Sequence, residues 1–251
     1  MSGLAEVADA FRALHTAPTL LVLPNAWDVA SARAVQDAGF PAVATSSGAV
    51  ARTLGFDDGE AMPAEEAFAA VARITRAVDV PVTADLEAGY GLGAEEYVDR
   101  LLGAGAVGCN YEDTDHHGDG ALVDAERQAE RLAAVKAAAR ASGVDIVLNA
   151  RVDTYVNRIG SPAEMLAEAV RRGRLYLEAG ADCVYPIGVA DEGAIGELVQ
   201  ALAAPVNVMV RPGAPSLARL AELGVARASF GSGLFKVTLD AFEQRLAELR
   251  D

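Results

Sequence analysis

Eight short, nearly continuously apolar runs recur along this chain, each followed by a longer, Ala-rich amphipathic stretch. The runs are Leu20–Pro24, Ala42–Ser46, Val80–Asp85, Val107–Asp113, Asp145–Arg151, Asp182–Pro186, Val206–Val210 and Arg227–Gly231. Such runs suit parallel strands covered by helices on both faces. The stretches between them carry helix signals. Asp28 precedes Val29, and Gly39 stops the same stretch; Pro63 opens another, with Glu65 and Glu66 in its first turn. Ser161, Pro162 and Glu164 form a capping box ahead of a stretch that ends at Gly180. Eight strands alternating with helices over 251 residues predict an α/β fold, a single (β/α)8 TIM barrel domain spanning residues 1–251. The alternative is an open doubly wound sheet, and the lack of a GxGxxG turn after the first run argues against it.

Composition narrows the partners. With 36 Asp plus Glu against 21 Lys plus Arg, the formal net charge is −15, which disfavours nucleic acid and anionic lipid. No apolar run approaches the roughly 20 residues of a spanning helix. The mixed, acidic start from Met1 to Leu14 does not read as a secretory leader. Cys109 and Cys183 form no CxxC pair and read as small buried hydrophobes in a reducing, cytoplasmic setting.

In a barrel of this kind the chemistry gathers where the strands end. Asp85 and Glu87 end the third run, and Glu112 ends the fourth. Three carboxylates converging on one mouth repel one another unless a cation neutralises them, and an oxygen-only donor set suits Mg2+ or Mn2+. Arg151 ends the fifth run and reads either as a clamp for a substrate carboxylate or phosphonate, or as an ion-pair partner of Asp153 or Glu112. Ser46, Ser47 and Gly48 form a small-residue turn, with N–H groups suited to an oxyanion or to nothing beyond the turn. Gly231-Ser232-Gly233 reads foremost as a helix-start turn. Asp58, in the loop after the second run, is either a turn former or a base over the mouth.

Taken in order, LPNAWD, TSSGAVARTLGFDDGE, VPVTADLEAGYG, GCNYED, NARVD and NVMVRPGAPS resemble the isocitrate lyase/phosphoenolpyruvate mutase superfamily over Leu20 to about Phe235. The resemblance implies a (β/α)8 barrel, a bound Mg2+, and making or breaking of C–C or P–C bonds next to the carbonyl of small 2-oxo acids. It implies Asp85 as the main metal ligand, with Glu87 and Glu112 holding metal waters. Arg151, Ser46, Ser47, Gly48 and Tyr90 would bind substrate, and Asp58 would flank the metal. It further implies a homodimer or homotetramer, with the last helix exchanged between subunits.

The chain departs from that pattern in places. Glu87 stands where the family has Asp, one methylene longer. The segment Thr114–Val123 holds neither the Lys nor the Cys of the family's lid loop; it carries His116 and His117 instead, which read either as an exposed, inert pair or, with an ordinary pKa suited to proton transfer, as a replacement for the missing acid. Tyr185 and Pro186 stand near where phosphonate members carry a His. The expected activity is therefore a Mg2+-dependent lyase or hydrolase cleaving a small 2-oxo or 2-hydroxy acid through an enolate. Two other readings stand beside it: P–C chemistry on phosphonopyruvate, and a barrel that binds a 2-oxo acid without turning it over.

Overall fold

The computed structural model describes residues 2–250. Among these, nine strands appear: β1 (Leu21–Leu23), β2 (Asn25–Ala26), β3 (Val43–Thr45), β4 (Val82–Asp85), β5 (Gly108–Glu112), β6 (Val147–Val152), β7 (Cys183–Pro186), β8 (Asn207–Met209) and β9 (Arg227–Ser229). Every ladder is parallel. The strands β2 to β7 pair in chain order, while β9 lies between β1 and β8. Pro24, which has no N–H to donate, separates β1 from β2, so these two pieces make one broken stave. Its first half bonds to β9 and its second to β3. A lone parallel bridge between Val184 and Val206 joins β7 to the start of β8. The ring of eight staves is thereby closed, and each of the eight expected runs supplies one.

The helices are α1 (Ser2–His15), α2 (Val29–Asp37), α3 (Ser47–Leu54), α4 (Ala64–Thr75), α5 (Ala94–Gly103), α6 (Ala125–Ala141), α7 (Pro162–Glu178), α8 (Glu192–Leu202), α9 (Leu217–Glu222) and α10 (Gly233–Glu248). The start of α7 has the expected reciprocal cap between Ser161 and Glu164, and Gly180 takes a left-handed φ of 100° just past its end. The Ser47-Gly48 segment, read above as a turn, is instead the first turn of α3. That helix starts without a side-chain cap, so the usual signal of a helix start is missing.

Val43, Leu101, Leu132, Leu148, Ile195 and Leu198 are buried between ring and helices, each side chain contributing roughly 1.5–3 kcal/mol by leaving water. At the N-terminal end of the ring α1 forms a floor. Phe11 is fully buried against Gly108, where a Cβ would come within 2.9 Å of its ring. Arg12 Nε donates to Asp182 Oδ1 at 2.9 Å.

Strand register positions the polar groups inside the ring. Side chains alternate along a strand, and paired residues on adjacent strands share a face. Asp85, Asn110, Asn149 and Cys183 lie side by side across β4 to β7; one step nearer the C-terminal ends lie Glu112, Arg151 and Tyr185.

Candidate active site

Asp85, at the end of β4, is held from three directions. Its Oδ2 accepts from the backbone N–H and the hydroxyl of Ser47, each at 3.0 Å, and its Oδ1 accepts from Asn110 Nδ2 at 3.0 Å. Asn110 cannot flip its amide, because its Oδ1 already accepts from Asn149 Nδ2 at 2.7 Å. The buried Arg227 guanidinium reaches the same oxygen at 3.5 Å. A tier of buried amides below the mouth therefore orients this carboxylate.

Above that tier is a cavity of about 290 Å3 lined by Asp58, Glu87, Glu112, His116, Arg151 and Asp153, together with Gly59, Thr114, Val156 and Asn157. Glu87, with φ +52°, is 2% exposed. Its Oε1 accepts from the Tyr90 hydroxyl at 3.0 Å and its Oε2 from the Glu60 N–H at 2.6 Å. Glu112 is 1% exposed and meets Arg151 Nη1 through one oxygen and His116 Nε2 through the other. Burial, followed by the charges of Asp58, Glu112 and Asp85, raises the Glu87 carboxyl to about 7. Burial raises Glu112 to about 7 as well, against the opposing pull of Arg151 and His116. The hydrogen bond to Glu112 raises the His116 imidazole in turn.

Arg151 reaches Asp153 with both Nε and Nη2, at 2.7 and 2.8 Å, while Nη1 faces Glu112. The ion-pair reading of this arginine is thus present in the structure, and it holds the fork at the cavity wall. Asp153 accepts from Thr114 Oγ1 at 2.7 Å. Behind it Asp113, raised to about 6 chiefly by burial, accepts from Arg172 and Tyr176.

The remaining expected residues fall into two groups. Ser46 Oγ lies 2.9 Å from Ser232 Oγ, so the Gly231–Gly233 turn meets the start of α3. Gly48 leaves room for Asp58: a Cβ there would sit 2.7 Å from Asp58 Oδ2 and 3.2 Å from Ser232 Oγ. The two lid histidines separate. His116 lines the cavity, whereas His117, its side chain 63% exposed, points Nε2 at Glu60 Oε2 over 2.7 Å. Glu60 was not foreseen from sequence. It has φ +59°, its side chain is 1% exposed, and its Oε1 also accepts from the Tyr90 N–H at 2.6 Å. It ties together the loops that follow β3, β4 and β5; it closes the segment TSSGAVARTLGFDDGE, but the sequence reading gives it no role there.

Donor chemistry fits a divalent cation. Glu87, Glu112 and His116 each offer one ligand atom, all within 4.8 Å of one another, and Asp85 adds its charge from behind.

A closed ring of parallel staves with carboxylates, an arginine and a helix start at their C-terminal ends defines a barrel enzyme of the isocitrate lyase/phosphoenolpyruvate mutase type. The family model for phosphoenolpyruvate phosphomutase matches residues 11–250, and the chain belongs to that family. Among solved structures, a candidate lyase/mutase from Burkholderia cenocepacia J2315 is 36% identical with a TM-score of 0.92, covering 100% of this chain and 90% of that one. A 2,3-dimethylmalate lyase of the superfamily is 27% identical with a TM-score of 0.86, covering 97% and 87%. The 2-methylisocitrate lyase of Bacillus subtilis is 28% identical over 82% of this chain and 67% of its own length.

Proposed function

We propose that this protein is a divalent-metal-dependent lyase or hydrolase that cleaves a C–C bond next to the carbonyl of a small 2-oxo or 2-hydroxy acid. The observation that carries this reading is the register pairing of Glu112 with Arg151 at the rim of a cavity of about 290 Å3, with Glu87 and Asp58 on the same walls. That volume, at or below the low end of ordinary ligand pockets, suits an acid of a few carbons. A guanidinium fork beside converging carboxylates suits an anionic substrate on a protein whose surface is otherwise negative.

Glu87 and Glu112, with Asp85 adding its charge from behind, would hold a divalent cation, which would supply positive charge where the cleaved acid becomes an enolate. The chain's own groups do the rest. Arg151 binds the substrate carboxylate, exchanging part of its hold on Asp153 for it. The Gly48 N–H at the start of α3, with the Ser46 hydroxyl beside it, binds carboxylate or carbonyl oxygen, while the Ser47 N–H and hydroxyl stay on Asp85. Tyr90 holds Glu87 in place. Asp58, packed against Gly48, takes the proton from the substrate hydroxyl or the attacking water as the C–C bond breaks and returns it to the enolate carbon. The loop from Thr114 to Val123 keeps water out.

Outside the site, no helix among the described residues is long and apolar enough to cross a membrane. Val237, Phe242, Leu246 and Leu249 lie exposed on or just past α10, so our reading includes a homodimer or homotetramer formed through that helix. Cys109 and Cys183 are both free and buried, in keeping with a reducing cytoplasm.

The test is a panel of 2-oxo and 2-hydroxy acids with Mg2+ or Mn2+, read by mass spectrometry, with phosphonopyruvate followed by phosphorus NMR. We expect C–C cleavage of at least one acid and its loss in Asp85→Ala. Metal-dependent turnover that survives Asp85→Ala would overturn the assignment, and release of phosphate from phosphonopyruvate alone would replace it with P–C chemistry.

A further inference from the structure

Two departures from the family pattern land on one spot. Glu87 carries an extra methylene, and the lid carries His116 in a segment that lacks the family's Lys and Cys. In the fold, the longer carboxylate and the lid imidazole face each other: His116 Nε2 lies 4.0 Å from Glu87 Oε2 and in direct contact with Glu112 Oε1. Glu87 and Glu112 are buried, and His116 is half-buried. The other oxygen of Glu112 faces Arg151, and Glu87 Oε1 is held by Tyr90, so both carboxylates are already oriented before any ligand arrives. On the far side of the imidazole, Gly59 leaves space, since a Cβ there would come within 3.4 Å of Nδ1. His117, the adjacent residue, is drawn away to Glu60, which fixes the loop with His116 pointing inward.

We infer that His116 is a direct metal ligand, completing with Glu87 and Glu112 a mixed nitrogen–oxygen set that selects a first-row transition ion of the Mn2+ to Zn2+ class over Mg2+. The chemistry follows from the donors. Mg2+ takes oxygen ligands and keeps its waters, while imidazole favours the later, softer ions. The inference rests on the proposed metal-dependent function and narrows it. It also gives the lid a reason to close, because a ligand carried by the loop holds that loop down when the ion binds. The missing Lys and Cys are then not a simple loss: the segment delivers a ligand in place of a proton donor.

The experiment uses Mn2+ as the probe on the full chain. Electron spin-echo spectra of the Mn2+-loaded wild type should show nitrogen modulation from a coordinated imidazole. His116→Ala should lose it, while His117→Ala, whose side chain points elsewhere, should keep it. By calorimetry, His116→Ala should weaken Mn2+ binding about tenfold or more and change Mg2+ binding by less than about twofold. Circular dichroism on both variants checks that they fold. Wild-type protein that binds Mn2+ without nitrogen modulation, or a variant with unchanged Mn2+ over Mg2+ preference, overturns the ligand assignment and leaves the proposed function standing. Failure of the wild type to bind either ion overturns both.

Discussion

Gly89 has φ +91°, and a Cβ on it would meet the Tyr111 hydroxyl at 2.6 Å and its ring at 2.8 Å. Arg131 holds that ring, its guanidinium 5.1 Å over the ring centroid and one nitrogen 3.0 Å from the hydroxyl. The ring has nowhere to go, so Gly89→Ala combines a strained backbone with a clash. It should lower the unfolding free energy by about 2–4 kcal/mol, read from the urea midpoint. His15 shows a different single-residue effect. Burial, then the nearby Arg227 cation, lowers its imidazole from 6.5 to about 4. The folded chain therefore keeps His15 neutral where the unfolded chain protonates it. Its contribution is complete above about pH 6.5 and is lost as the pH falls toward 4, a span worth about 3 kcal/mol. His15→Gln should flatten that limb of the stability–pH curve; an unchanged acid limb would contradict the assignment. Legibility at this scale followed chemistry. Asp85, Glu112 and Arg151 stand at strand ends and announce themselves. Glu60 does not, because its role comes from a left-handed backbone and three loops meeting in space.

At the level of elements, the loop after β5 matters most. Its tip, Asp115 to Ala121, is largely exposed, and it is fastened by His116 inside and His117 outside. Removing the outer fastening with Glu60→Ala should make limited proteolysis within that tip several-fold faster, while cleavage elsewhere stays unchanged. Equal rates in wild type and variant would show that the His117 contact does not restrain the loop. The elements themselves were largely readable in advance. Short apolar runs located the staves, and the Ser161 box located α7. The start of α3 was not readable, since no side chain caps it and Ser47-Gly48 looks like any polar turn. What closes that gap is tertiary: the first N–H of α3 bonds to Asp85, from a strand 38 residues further along the chain.

Over the whole molecule, the acid cluster ties stability to metal. Burial first, then neighbouring carboxylates (Asp58, Glu112 and Asp85 for Glu87; Asp153 and Asp85 for Glu112), raises Glu87 and Glu112 from 4.5 to about 7. Without a cation, the folded chain holds protons between those values that the unfolded chain releases. Stability contributed by this pair therefore falls as the pH rises from 4.5 through 7, and the full penalty applies above about 7. Mn2+ should raise the melting temperature more at about pH 8 than at about pH 5.5, with EDTA abolishing the difference. An equal rise at both would mean that the ion binds elsewhere.

The broken first stave has a consequence for the barrel as a machine. Pro24 and the lone Val184–Val206 bridge divide the hoop into two arcs, one of three strands and one of six. Asp85, Glu112 and Arg151 all stand on the larger arc, inside one unbroken ladder. Their mutual spacing is therefore set by consecutive ladder hydrogen bonds and crosses neither joint, so the chemistry stands on the continuous part of the shell.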